Sequence, residues 1–478
     1  MNNTLYENNY TRYIEPIYGD KRNKEEDDLL LKTDSNINNY YILETNRYNF
    51  TEDIYSIDPE GCKDADDAFS IYEENNKLYL AIHIADPTHY IPLNSFIWNN
   101  ITRRATTKYL SNRPPIHMIP DKVLELASLM TFDKNEHKYT ISVITEINKE
   151  TYEPINNVQL KFCKVLIKKE NSFTYNEAST YVNKSTSLQL NISDILKIGL
   201  QISNSLFNLR KEKTKGTILS ELSSAYIKYD ENNVYLYEDT YAEKKMKNMI
   251  AEFAIFANSF VGEYLKIHLN TGIFRSCIAK EWLNTIETSI SSEEMLQEII
   301  TNGIKADYIS TIQSHDLVGM PEYCHFTSPI RRLSDCVCHY LLKFIYLKNI
   351  NKDLTIPFNK QDLDNLSNIC LKENKKDKKN QYLDIKFRLL QVMDNMIHKN
   401  GKITIKYYIT GYSGLFLNII ICNIDNYNVH MSYTLRIRNY SKNIDPKNIK
   451  SLVVTHVNCF TKFDQNTIPE LDKDILEI

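Results

Sequence analysis

At 478 residues the chain has room for about three domains, or for one large enzyme domain with an appendage. Its 42% hydrophobic and 25% charged content suits a folded globular protein, and a net charge of −4 excludes a generally basic nucleic-acid coat. Any phosphate-binding surface must therefore be local.

Nine cysteines are scattered singly, Cys336 and Cys338 forming the only close pair, with no CxxC spacing. This predicts free thiols in a reducing, intracellular compartment. The polar start MNNTLYENNYTRY has no signal-peptide core and no apolar run is long enough to span a bilayer, so no membrane association is expected. Heavy use of Asn, Ile, Lys and Tyr reads as the bias of an AT-rich genome.

Residues 1–50 are polar and charged, and read as a packed arm or a partly disordered leader. Residues 51–350 form the main domain, 351–400 a helical connector and 401–478 a strand-rich C-terminal domain.

The main domain opens on SIDPEGCKDADDAF, Ser56 to Phe69, which puts Asp58, Asp64, Asp66 and Asp67 into ten residues. Pro59 and Gly61 impose a turn between the first acid and the others. Four acids so close repel one another, and a partly buried set stays ionised only beside a cation. Oxygen-only ligands suit hard ions such as Mg²⁺ or Mn²⁺. A pair of such ions suits phosphodiester cleavage. A solvated acidic turn accounts for the run equally well. A calcium loop does not, because its sixth and twelfth positions, counted from Asp64, hold Phe69 and Asn75.

The next stretch predicts a hairpin, FSIY and KLYLAIHIAD around a turn at Glu73–Asn76, with Leu78, Leu80, Ile82 and Ile84 alternating onto one face. His83 falls on the opposite face as a structural histidine. Residues 101–130 mix Arg103, Arg104, Lys108, Tyr109 and Arg113 with proline, which would suit a path for a charged polymer or a solvated loop. Two further strands begin at Glu136 and Val158, and a polar helical region runs from Phe173 to about Lys213. Asp239–His268 carries the strongest helical stripe, through Met246, Met249, Phe253, Ala257 and Val261. Glu252 lies off that stripe and reads as a surface residue.

In HFTSPIRRLSD, Thr327 or Ser328 can cap a helix with Pro329 in its first turn. Arg331 and Arg332 then oppose the helix dipole, so a phosphate is a fitting partner. Asp335 is spaced to pair with Arg331. Lys372, Lys375, Lys376, Lys378 and Lys379 read as a solvated helix face. Short strands after Gly401 suit a small OB-type barrel, with Tyr407, Tyr408, Tyr412 and Phe416 as core or base-stacking aromatics.

Together these motifs resemble the ribonuclease II, or RNB-domain, exoribonucleases. SIDPEGCKDADDA, HIADPTHYIP, RRATTKYLSNRPPIHMIP, AEFAIFAN and HFTSPIRRLSD follow in that family's order over residues 54 to 345. The resemblance implies an α+β fold, an RNB domain of mixed sheet and helices before the barrel. It also implies 3′→5′ hydrolysis of single-stranded RNA to 5′-monophosphates, with Mg²⁺, or Mn²⁺ in its place, by a monomer. By resemblance Asp58, Asp64, Asp66 and Asp67 hold metal, Asp66 and Asp64 serve the chemistry, and Arg331 grips the scissile phosphate. Tyr109 packs on the 3′-terminal nucleotide, Tyr175 holds RNA at the mouth of its path, and Glu252 approaches the terminal sugar. Arg332 and Arg113 are further RNA-binding candidates. The chain departs from the family in having about 50 residues where two cold-shock barrels are usual. Leu333 replaces a usual tyrosine, and SCIAKEW follows GIFR in place of a histidine-and-proline pattern. Near the usual stacking phenylalanine stand Ile227 and Tyr226. The rival expectation is an RNA-binding protein on a retired nuclease fold.

Overall fold

Asn75 and Asn76 take left-handed φ angles of 50° and 63°, the backbone that a two-residue hairpin turn requires. In the computed structural model they join strands Asp67–Glu74 and Lys77–Ala85. The structure describes residues 3–19, 28, 46–182, 191–213, 225–285, 299, 302–429, 434–438, 449–458 and 470–471, less 112, 132, 156, 231–232, 351–352, 414–415 and 456.

The hairpin edges a five-stranded sheet that continues antiparallel through Glu136–Ile147 and Gln159–Ile167 and ends on Tyr48–Asn49, paired parallel. Leu78, Leu80, Ile82 and Ile84 are all buried, but so are Ala81, His83 and Ala85 on the other side. The strand is thus covered on both faces rather than one. His83 lies between two hydroxyls, Ser70 Oγ at 3.1 Å and Ser142 Oγ at 2.8 Å, and burial lowers its pKa to about 3. It is a neutral, satisfied core histidine.

Helix Tyr241–Leu269 starts with a capping box from Thr240 and Glu243 and packs on the sheet, Phe253 meeting Phe69 at 5.6 Å between ring centres. Helix Ile192–Lys213 packs beside it on the same face, Gly199 lying against Ile71 as well as Met249 and Phe253. There Gly199 leaves room that a Cβ would fill to within 2.7 Å of Met249. Helix Leu333–Ile350 is buried along nearly its whole length. The chain is therefore α+β.

Helix Lys360–Asn400 spans 41 residues, from an Asn359–Asp362 capping box to Gly401 at φ 79°. Its lysine run is exposed, as a solvated face should be. Its other side forms a second core with Tyr6, Tyr10, Ile14 and Tyr18 of the N-terminal arm and with the C-terminal strands. Strand Ile403–Ser413 pairs antiparallel with Phe416–Ile424 and with Lys450–Val454. Tyr407 and Tyr408 are buried, so stacking on a base is closed to them. The side chains of Tyr412 and Phe416 lie outside the described residues.

Candidate active site

The acidic run bends at Gly61, whose φ of +77° is open to glycine at little cost. The Cys62 N–H donates to the Pro59 carbonyl at 3.1 Å and closes a tight turn with glycine in its third position. Strand Ser56–Asp58 enters this turn and pairs parallel with Ser172–Thr174, which sets Asp58 opposite Thr174, one residue before Tyr175. Asp67 leaves the turn as the first residue of its strand.

Asp66, only 3% exposed, is fixed from the far end of the domain. Its Oδ1 accepts the Ile330 N–H at 2.8 Å and its Oδ2 accepts Arg331 Nε at 2.9 Å. Arg331 also donates to Ser328 Oγ at 2.9 Å. The Arg331 carbonyl receives the Thr107 N–H at 3.0 Å, and the Ala105 carbonyl receives the Leu333 N–H at 2.9 Å. The RRATTKYL segment is thereby laid against the arginine turn, and Tyr109 donates its phenol to Asp64 Oδ2. Cys62 Sγ lies 3.8 Å from Asp58 Oδ1 and 3.6 Å from Asp64 Oδ1.

Repulsion is visible in the acids. Burial, then Asp67, Asp66 and Asp64, push Asp58 well above the usual carboxylate range. Burial drives Asp66 up to about 7 despite Arg331 and the Ile330 N–H. Burial raises Asp67 too, against the pull of Arg331 and Arg332. Asp58 Oδ2 is buried with no hydrogen-bond partner. Such an orphaned, charge-crowded carboxylate fits a hard cation. Among the described residues no three His, Cys, Asp or Glu side chains form a group that could by itself hold a metal ion. Mg²⁺ does not require one, since it is commonly held by one or two carboxylates, waters and a substrate phosphate.

Two clefts adjoin this centre. One, of about 1050 Å³, is lined by Gly61, Thr174, Tyr175, Tyr226, Ile227 and Lys247 among others. Lys247 Nζ stands 4.9 Å from the Tyr226 ring and 5.6 Å from the Tyr175 ring. The other, of about 420 Å³, is lined by Tyr109, Ser111, Tyr226 and Asp384 among others.

Other expectations are corrected. Arg331 does not pair with Asp335; Arg332 does, at 2.8 Å. Asp335 also accepts the Ser328 N–H at 2.7 Å. This holds 328–332 as turns and delays the helix to Leu333. Glu252 is not a surface residue: it is buried and takes a two-pronged ion pair from Arg210, whose Nε lies 3.0 Å away. Arg113 forms ion pairs with Glu7 and Glu15 of the N-terminal arm, at 3.0 and 2.8 Å. Sequence reasoning also missed Asn258. Its buried amide accepts the Phe326 and Thr327 N–H groups at 2.8 and 3.2 Å and donates to Tyr323 and Thr327 hydroxyls at 3.2 and 3.3 Å. It latches the segment that leads to Arg331. Its place in AEFAIFAN was the available signal.

The RNB domain family model matches residues 47–348. The chain belongs to the RNB family. Human exosome complex exonuclease RRP44 is 27% identical over 378 residues, 69% of this chain and 37% of that protein. Ribonuclease R of Mycoplasmopsis pulmonis is 25% identical over 322 residues, 61% of this RNB protein and 43% of its own length. The chain thus spans well under two thirds of these relatives. Among solved structures, Mycoplasma genitalium RNase R in complex with ribose-methylated single-stranded RNA superposes with a TM-score of 0.71 at 18% identity, covering 95% of this chain and 76% of that one. A yeast pseudonuclease shares the fold at a TM-score of 0.61 and 16% identity, covering 84% and 51%. Among the described residues, no helix of this RNB protein is long and apolar enough to cross a membrane.

Proposed function

We propose that this RNB protein is a 3′→5′ exoribonuclease that degrades single-stranded RNA to 5′-monophosphates, acting as a monomer with two Mg²⁺ or Mn²⁺ ions. The observation that carries the reading is the convergence of Arg331, Tyr109 and four mutually repelling aspartates beside an aromatic, lysine-bearing cleft. In this reading Asp58, Asp64, Asp66 and Asp67 would hold the ions. A bound divalent ion would supply charge neutralisation and an acidified water, with P–O cleavage at the last linkage.

The protein's own groups do the rest. Asp66 orients Arg331, whose remaining guanidinium edge faces the phosphate and offsets its developing charge. Tyr109 buttresses Asp64 and packs against the terminal nucleotide. Tyr175 and Tyr226 stack on upstream bases, with Lys247 near the backbone phosphates. Arg332 acts through field rather than contact, since Asp335 holds it. Glu252 acts from behind through Arg210. We read residues 51–350 as the catalytic domain and 401–478 as an OB-type module that extends the RNA surface.

The pseudonuclease neighbour supports a second reading, RNA binding without turnover. The complete acid set argues for turnover, because a retired site gains nothing from four crowded carboxylates. The test is end-labelled single-stranded RNA with Mg²⁺, with and without EDTA, beside a circular RNA. One-nucleotide products that need metal and a free 3′ end are expected. Metal-independent cutting or cleavage of the circle overturns the mechanism, and binding without products favours the second reading.

A further inference from the structure

We propose that Asp384, on helix Lys360–Asn400, is a positioning residue for Tyr109, and that the N-terminal arm is part of the catalytic machinery through it. The inference rests on the exonuclease reading above.

Tyr109 reaches Asp64 from a loop that needs holding on both sides. On one side Lys108 pairs in a backbone bridge with Ile116 and donates its ammonium to the Tyr18 carbonyl at 3.0 Å. On the other, Ser111 gives Asp384 both its N–H, at 2.9 Å, and its hydroxyl. Asp384 is 1% exposed and also accepts the phenols of Tyr10 at 2.9 Å and Tyr18 at 3.0 Å. One carboxylate therefore collects four donors, two from the arm and two from the residue two places after Tyr109. Arg388, one turn further on, donates to the same Ser111 hydroxyl at 3.1 Å and to Glu7 of the arm at 2.7 Å.

A buried carboxylate is tolerated only when its lone pairs are filled. Anchoring the arm does not require Ser111, because Tyr10 already packs on Phe387 with ring centres 5.8 Å apart. The donation from Ser111 fixes the loop instead. Tyr109, Ser111 and Asp384 line the same cleft of about 420 Å³, so the anchor and the tyrosine that it holds border one space.

A double-mutant cycle on the full chain separates positioning from general stability. Asp384→Asn, alone and with Tyr109→Ala, is assayed by single-turnover release from end-labelled RNA with Mg²⁺. We expect Asp384→Asn to slow release about tenfold beside Tyr109, and less than about twofold in the Tyr109→Ala background, since both the phenol and the ring that it positions are then gone. Equal losses in both backgrounds, or no loss, overturn the proposal. Where Asp384→Asn does not fold, Ser111→Ala carries the same cycle with an expected loss of about threefold. Amide exchange over residues 107–113 is read in parallel. It accelerates in the variant while the sheet stays protected, and unchanged exchange overturns the proposal even if the wild-type protein cleaves no RNA. Failure of the nuclease reading is thus distinguishable from failure of this one.

Discussion

Arg331 and Asp66 are joined by a 2.9 Å bond from Nε to Oδ2 across 265 residues of sequence. This bond and the one from Nη2 to Ser328 Oγ fix the guanidinium plane, and Nη1 is left for a phosphate. A lysine has one compact ammonium and cannot serve both partners. Arg331→Lys is therefore expected to lower kcat by about 10²–10³, the usual range for loss of a preorganised donor at developing charge. Asp66→Asn should do at least as much. RNA affinity in EDTA, measured by fluorescence anisotropy, should change little in both; a parallel loss of binding counters the assignment.

The acid cluster makes a pH prediction of unusual sign. Unfolded aspartates titrate near 4, whereas burial drives Asp66 to about 7 and raises Asp58 and Asp67. Between those values the metal-free folded protein binds more protons than the unfolded chain, so its stability falls as pH rises. Asp66 alone accounts for about 2–4 kcal/mol. In EDTA the Tm should be lower at pH 7.5 than at pH 5, and Mg²⁺ should abolish the difference. A Tm that climbs toward neutrality in EDTA contradicts this.

Tyr226 is 37% exposed and lines both clefts, with Lys247 beside its ring. Base stacking on an aromatic is worth about 1–3 kcal/mol. Tyr226→Ala should weaken single-stranded RNA binding about tenfold or more while Tyr226→Phe preserves it. Titration of a labelled oligonucleotide checks both, and equal losses would point to the phenol rather than the ring.

Asn258 satisfies two backbone N–H groups ahead of Arg331. Asn258→Ala strands them in a buried setting, at about 1–3 kcal/mol each. Denaturant melts should show a loss of roughly 2–4 kcal/mol. Activity should fall further than the folded fraction does, because the Arg331 turn loses its latch.

Much of the architecture was written locally. The hairpin shows in its alternation and in Asn75–Asn76, the acid turn in Pro59 and Gly61, and helix Tyr241–Leu269 in its apolar stripe. The α+β class and the RNB resemblance rest on such local runs. What failed was whatever depends on a distant partner. Glu252 looks exposed when one stripe is counted, because nothing nearby in sequence announces that a second helix will bring Arg210 to it. Asp335 was matched to Arg331 by helical spacing, yet its carboxylate turns back to the Ser328 N–H and the helix starts later. Tyr10 and Tyr18 meet Asp384 across 374 and 366 residues. No short-range pattern encodes such meetings.

That same long separation orders events during synthesis. A ribosome delivers all four aspartates early, but the guanidinium that completes the centre emerges only 265 residues after Asp66, and Asp384 later still. A half-made chain therefore carries acids without their counter-charge and a Tyr109 loop with nothing behind it. On the exonuclease reading, the site stays incomplete until the segment that carries Asp384 has been made.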